Sequence, residues 1–170
     1  MRLLTASSIT WSQWCPLSQQ RLPAIVPRAA GLYRMRSTSM DELLYIGQSN
    51  NLRRRILELR GAIQDSEMPW NDPHVAAARF WALLQSTHHE FEISVARTST
   101  DVIARKSLEC LAISLSRAES GRSPKFNFGR MPDGWVPSSR RAKGIRGGFD
   151  PEITYSAHQA SIFSEQGDPT

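Results

Sequence analysis

No apolar run in these 170 residues approaches the ~18 that a membrane-spanning helix needs, which excludes a helical membrane protein. The first ten residues, MRLLTASSIT, hold one arginine but no adequate apolar stretch, so a cleaved secretion signal is not expected. Cysteine is scarce. Cys15 and Cys110 are far apart and no C-x-x-C occurs, which leaves neither a disulfide framework nor a zinc cage. The default is two reduced thiols and a cytoplasmic location. The four histidines, His74, His88, His89 and His158, do not form an H-E-x-x-H helix. His88 and His89 precede a strand-like run, where neighbouring side chains point to opposite faces and do not share a metal. Internal repeats and low-complexity tracts are absent as well.

What remains is ordinary globular composition, 40% apolar and 22% charged. The length suits one domain with extensions. Net charge is +5, and its distribution is uneven. Residues 51–60 carry Arg53, Arg54, Arg55 and Arg60 against Glu58, a local excess of +3. Residues 117–150 carry eight basic and three acidic side chains. Together these blocks exceed the whole-chain excess, so the rest is net acidic. Such patterning favours a polyanionic partner.

Residues 1–29 read as an extended arm, rich in proline and carrying Trp11 and Trp14, that packs aromatics onto a core. From Gly31 to Arg36 apolar and polar residues alternate as in a half-buried strand. A polar link leads to the short apolar run Leu43–Gly47, and the two runs predict an antiparallel hairpin. Ser49 or Asn50 caps a helix with the stripe Leu52, Ile56, Leu59 and Ile63. Arg55 lies about 100° round the helix from Ile56, beside the stripe. Asp72-Pro73 starts a second helix, apolar on more than one side. Phe91–Ala96 is a third strand. Thr100 caps a third helix with the stripe Ala104, Leu108, Leu111 and Leu115, and Glu109 stands beside it. Lys125–Arg130 returns to the core as a loop or short helix. The order β-β-α-α-β-α predicts an α+β fold, a small three-stranded antiparallel sheet flanked by helices. Its bounds are 30–131, followed by a basic arm and a weakly ordered tail over 132–170.

Taken singly, Tyr33 and Tyr45 are ordinary strand aromatics, and Arg55 and Glu109 are ordinary helix charges. Taken in order, the residues resemble the GIY-YIG nuclease family. Gly31-Leu32-Tyr33 and Tyr45-Ile46-Gly47 are separated by eleven residues. Gln48 to Arg55, QSNNLRRR, is similar to the family's segment after the second motif. The family's catalytic arginine lies eight positions past the glycine, on Arg55. Its helix glutamate falls on Glu109 and its following asparagine on Asn127, covering residues 30–130.

The resemblance implies phosphodiester hydrolysis with one divalent metal, Mg²⁺ or Mn²⁺, held by Glu109. A hard carboxylate suits Mg²⁺, which keeps most of its waters and also takes phosphate oxygens. Arg55 would grip the phosphate through its planar, permanently charged guanidinium. Tyr33 would be the general base, its phenolate favoured by the metal or by Arg55. Tyr45 would position water or phosphate, and Asn127 would brace the site or contact the nucleic-acid backbone. Two departures stand out. Many members carry a His or Tyr four residues after the arginine, where this chain has Leu59. Either Tyr33 works alone or another residue, such as His74, substitutes. Repair members often have Lys where this chain has Gln48.

The expectation is a stand-alone DNA endonuclease, for which a homodimer would suit cutting of both strands. The rival is a nucleic-acid-binding protein on the same scaffold that does not cleave. The expected nucleic-acid contacts are Arg53, Arg54, Lys125, Arg130, Arg140, Arg141, Lys143 and Arg146. The last four, among glycines, would follow a groove and touch phosphates.

Overall fold

The computed structural model describes residues 9–18, 22, 24–40, 42–69, 76–86, 89–129, 132, 135–137 and 147–149. For chain continuity the strands are numbered from the arm: β1 (Cys15–Pro16), β2 (Gly31–Ser37), β3 (Leu43–Ser49) and β4 (Phe91–Arg97). The alternating run and the apolar run form the expected hairpin. β2 and β3 pair antiparallel, with Gly31 opposite Ser49, Tyr33 opposite Gly47 and Met35 opposite Tyr45. The register shifts between Met35 and Arg36. β4 pairs antiparallel along the other side of β2, placing Val95 opposite Tyr33.

The sheet has four strands rather than the expected three, in the order β1-β4-β2-β3. The extra strand comes from the N-terminal arm. Cys15 lies opposite Ile93, and the amides of Ser12 and Leu17 donate to the Val95 and Phe91 carbonyls at 2.8 Å each. A two-residue strand has no periodicity to read. Its pairing is decided by the open edge of β4.

Three helices follow the expected order: α1 (Leu52–Ile63), α2 (Ala77–Ser86) and α3 (Val102–Ser120). Tyr33, Met35, Ile93 and Val95 share a core with Leu52, Ile56, Leu59, Ile63 and Phe80 of α1 and α2. Leu32, Ile46 and Ala96 share another with Leu108 and Ala112 of α3. The cap of α1 is Asn51, whose side chain accepts from the Arg54 amide, rather than Ser49 or Asn50. Asp101, not Thr100, caps α3 in the same way, through the Ala104 amide. The buried face of α3 is Arg105, Leu108 and Ala112, one position round from the expected stripe. Ala104, Leu111 and Leu115 are only half-buried. The expected start of α2 at Asp72-Pro73 lies outside the described residues.

The arm does pack its aromatics onto the sheet. The Arg34 guanidinium lies 4.6 Å from the ring centres of both Trp11 and Trp14, and Arg36 lies 4.4 Å from Trp14. Such cation–π stacking holds the arm against the sheet. The Arg36 end of this ladder is tied down by Glu92 at 2.8 Å.

After α3 the chain returns to the outer edge of β3. The Phe126 amide donates to the Leu44 carbonyl at 2.7 Å, and the Phe126 ring is sealed against Phe80 with centroids 5.1 Å apart. A short 3-10 turn, Asn127–Gly129, follows. In the segment read as a basic arm, β5 (Trp135–Pro137) and β6 (Gly147–Phe149) pair antiparallel as a separate two-stranded sheet. No helix among the described residues is long and apolar enough to cross a membrane.

Candidate active site

The register of β2 and β3 builds the tyrosine pair. Tyr33 faces Gly47 and Tyr45 faces Met35, so the two phenols are diagonal neighbours on one face of the hairpin. Their ring centroids lie 5.9 Å apart at 42°. The glycines of both motifs make room. A Cβ on Gly47 would stand 2.7 Å from Tyr33 Cζ and Oη and from Tyr45 Cε1. A Cβ on Gly31 would overlap the Ala96 carbonyl oxygen across the sheet and press Leu52 Cδ1 at 2.8 Å. Both positions demand glycine for close approach rather than for unusual dihedral angles.

Tyr33 is 2% exposed. Burial is the main reason its phenol is held well above the ordinary value. The nearby Tyr45 and Glu109 push the same way, and only Arg55 opposes them. The expectation that Arg55 favours a Tyr33 phenolate is right in sign, but burial outweighs it. Tyr45 is raised too, again chiefly by burial, then by Glu109. Hydrogen bonding between the phenols favours the proton on Tyr33 and eases its loss from Tyr45. Arg55 and Arg79 act on Tyr45 in that same downward direction.

Two charged side chains flank the pair. Arg55 is half-buried on the first turns of α1, and its guanidinium has no hydrogen bond or ion pair among the described residues. Glu109 is half-buried on α3, next to the buried Leu108, and its carboxylate is likewise unpaired among the described residues. Burial raises the Glu109 pKa above the ordinary carboxylate value, against the pull of Lys106 and Arg105. An unpaired carboxylate so placed favours a cation beside it.

The neighbouring charges are engaged elsewhere. Arg53 donates to the Leu22 and Val26 carbonyls at 3.0 and 3.2 Å, which pins the N-terminal segment to α1. Arg54 is exposed and loosely held, with Glu58 at 3.7 Å and Asn50 at 3.4 Å. Lys125 lies 3.8 Å from Glu42, which also takes Arg122 at 2.8 Å. Arg130, Arg140, Arg141, Lys143, Arg146 and His74 lie outside the described residues. Leu59 is fully buried in the α1 core, so that position offers no proton-transfer group.

Asn127 is a brace. Its Oδ1 accepts from the Ile46 amide at 3.0 Å, and its Nδ2 donates to the Ile46 carbonyl at 2.9 Å. The side-chain amide thus stands in for a neighbouring strand at the edge of β3, between Tyr45 and Gly47.

Two buried arginines escaped the sequence reading. Arg105 ties the start of α3 to β3: Nε donates to Gln48 Oε1 at 2.6 Å and Nη1 to the Thr100 and Ser99 carbonyls. Its one signal was the four-residue spacing to Glu109, which puts both on one helix face. Arg79 is buried in α2, where the Tyr45 charge acts on it. Its signal was a lone charge in an apolar run. His89 turns out to serve the β2–β3 link, where Nδ1 meets the Ser37 and Ser39 hydroxyls at 2.8 and 2.7 Å.

No group of three or more His, Cys, Asp or Glu side chains capable of holding a metal occurs among the described residues. The Glu109 carboxylate is a hard oxygen donor of the kind that suits Mg²⁺ or Mn²⁺. No family model, no curated protein and no solved structure matches the chain.

Proposed function

We propose that this protein is a metal-dependent endonuclease of the GIY-YIG type, hydrolysing DNA phosphodiester bonds. The observation that carries the reading is the pair of unpaired opposite charges, Arg55 and Glu109, acting on the same two phenols, the buried Tyr33 and the half-buried Tyr45. Half-buried charges without partners are costly, and the fold gains nothing from them in isolation. A bound phosphate for Arg55 and a cation for Glu109 would satisfy both.

In this reading Arg55 binds the scissile phosphate through two parallel N–H donors and offsets the charge that grows in the transition state. The Tyr45 hydroxyl, the less buried of the pair, directs a proton at a phosphate oxygen or at the attacking water. Tyr33 holds its proton in the free protein. Its service as a base therefore depends on positive charge arriving with the substrate. An Mg²⁺ or Mn²⁺ ion on Glu109 would supply Lewis-acid stabilisation and that charge. Asn127 and the two motif glycines keep the phenols in register.

The test is incubation of the purified chain with supercoiled plasmid, with Mg²⁺ or with EDTA. Nicked or linear product should form only with the metal. Glu109→Gln should fold normally and lose cleavage by at least ~100-fold, since removing a metal ligand forfeits several kcal/mol of Lewis-acid stabilisation. Cleavage in EDTA, or undiminished cleavage by Glu109→Gln, would overturn the reading.

A further inference from the structure

Arg79 poses a problem that the site as described does not solve. The residue is 3% exposed, and its Nε and Nη1 are sealed from solvent with no hydrogen-bond partner among the described residues. A guanidinium does not escape by losing its proton. Buried polar groups in native proteins almost always find partners, and an unpartnered one asks for a reason. The fold can satisfy a buried arginine when the need is structural, as Arg105 shows with its three acceptors.

The position supplies the reason. Arg79 precedes Phe80, whose ring meets Tyr45 edge-on at 6.4 Å. Tyr45 is the one described titratable group whose charge acts on Arg79. The Tyr45 oxygen can accept two hydrogen bonds and donate one. Its neighbour Tyr33 lies with ring centroids 5.9 Å apart. Four residues after Arg55, the buried Leu59 offers no hydrogen-bonding group.

We propose that Arg79 is a positioning residue: when a phosphodiester occupies the tyrosine face, Arg79 donates to the Tyr45 oxygen and aims the Tyr45 O–H at a phosphate oxygen. The orphaned guanidinium then gains its acceptor. The substrate in this proposal rests on the nuclease reading, but its main readouts do not require cleavage.

Four full-length proteins test it: wild type, Arg79→Met, Tyr45→Phe and the double variant. Each is melted alone and titrated with a 20-base-pair duplex in EDTA. Arg79→Met should melt higher than wild type, because a flexible apolar side chain replaces an unsatisfied buried charge. It should bind the duplex more weakly by roughly 10-fold or more, the value of one hydrogen bond to a charged group. In the Tyr45→Phe background the same change should have little further effect on binding, since nothing is left to position. Arg79→Lys should recover part of the lost affinity. A lower melting temperature for Arg79→Met would mean a structural partner and would overturn the proposal. So would unchanged binding, or an equal loss of binding with and without the Tyr45 hydroxyl. A wild type that binds but does not cut with Mg²⁺ sinks the nuclease reading alone, leaving Arg79 to the binding cycle. A wild type that neither binds nor cuts sinks both.

Discussion

Replacing Asn127 with alanine should cost more than any exposed polar substitution of similar size. The amide makes two hydrogen bonds to the backbone of Ile46, at 3.0 and 2.9 Å, and both residues are buried. Each bond is worth about 1 kcal/mol net, but truncation also leaves the Ile46 N–H and C=O without partners, at about 1–3 kcal/mol apiece. Some water will reach an edge strand, so the loss should be about 3 kcal/mol. For a protein of this size that corresponds to a fall of roughly 6–12 °C in melting temperature. Urea unfolding followed by circular dichroism measures it, with the midpoint moving and the slope unchanged. Asn127→Asp sharpens the test. Near pH 7 one carboxylate oxygen would face the Ile46 carbonyl, so this variant should be no better than alanine. Burial and that carbonyl should raise its folded-state pKa above the unfolded value. The variant should therefore regain stability as the pH falls and lose it again as the pH rises through the folded pKa. A loss below about 1 kcal/mol for the alanine variant would mean that solvent replaces the amide and that Asn127 braces nothing.

The two motif glycines should separate stability from activity. Gly31→Ala meets rigid backbone at Ala96 and should largely prevent folding, seen as loss of soluble protein. Gly47→Ala meets ring atoms that can shift, so it should cost about 1–3 kcal/mol but displace Tyr33 and depress cleavage out of proportion. Arg55→Lys should lose cleavage by roughly 10- to 100-fold, because a point charge does not reproduce the two-point grip. Arg54→Ala should stay near wild type in the same plasmid assay, and equal losses would refute a special role for Arg55. His89 has its pKa lowered, chiefly by burial and then by Lys125. The stability it contributes should be full above about pH 6.5 and decline as the pH falls below that value. Melting curves across that range should show the decline, and His89→Gln should flatten it.

The parts of this fold that were legible in the sequence are those with local signals. The alternation through Tyr33 and the four-three-four spacing from Leu52 to Ile63 each fix an element and its buried face. The order Tyr33, Tyr45, Arg55, Glu109 picks out two phenols and two charges that act on them. What was illegible depends on partners distant in sequence. Cys15–Pro16 is a strand only because β4 has an open edge. The Asn127 side chain pairs with Ile46 across 81 residues, and nothing in Lys125-Phe126-Asn127 announces that. Arg53 and Arg55 look alike in a run of three arginines. Only the packed arm shows that the carbonyls of Leu22 and Val26 take one of them. The faces of α3 were misjudged by one position because Arg105 is buried by its hydrogen bonds rather than by its hydrophobicity.

The seal along β3 also orders events during synthesis. Residues 31–63 can leave the ribosome and form the hairpin and α1 while residues 125–127 are still unmade. In that interval β3 has an unpaired outer edge at Leu44 and Ile46, and Phe80 lacks the ring of Phe126. An open edge of this kind is a template for pairing with another chain. A translation product that stops before residue 124 would keep that edge exposed and should be prone to aggregation and proteolysis. Only a chain long enough to carry Asn127 holds Tyr45 and Gly47 in register. The tyrosine pair is thus completed late, after most of the domain has been synthesised.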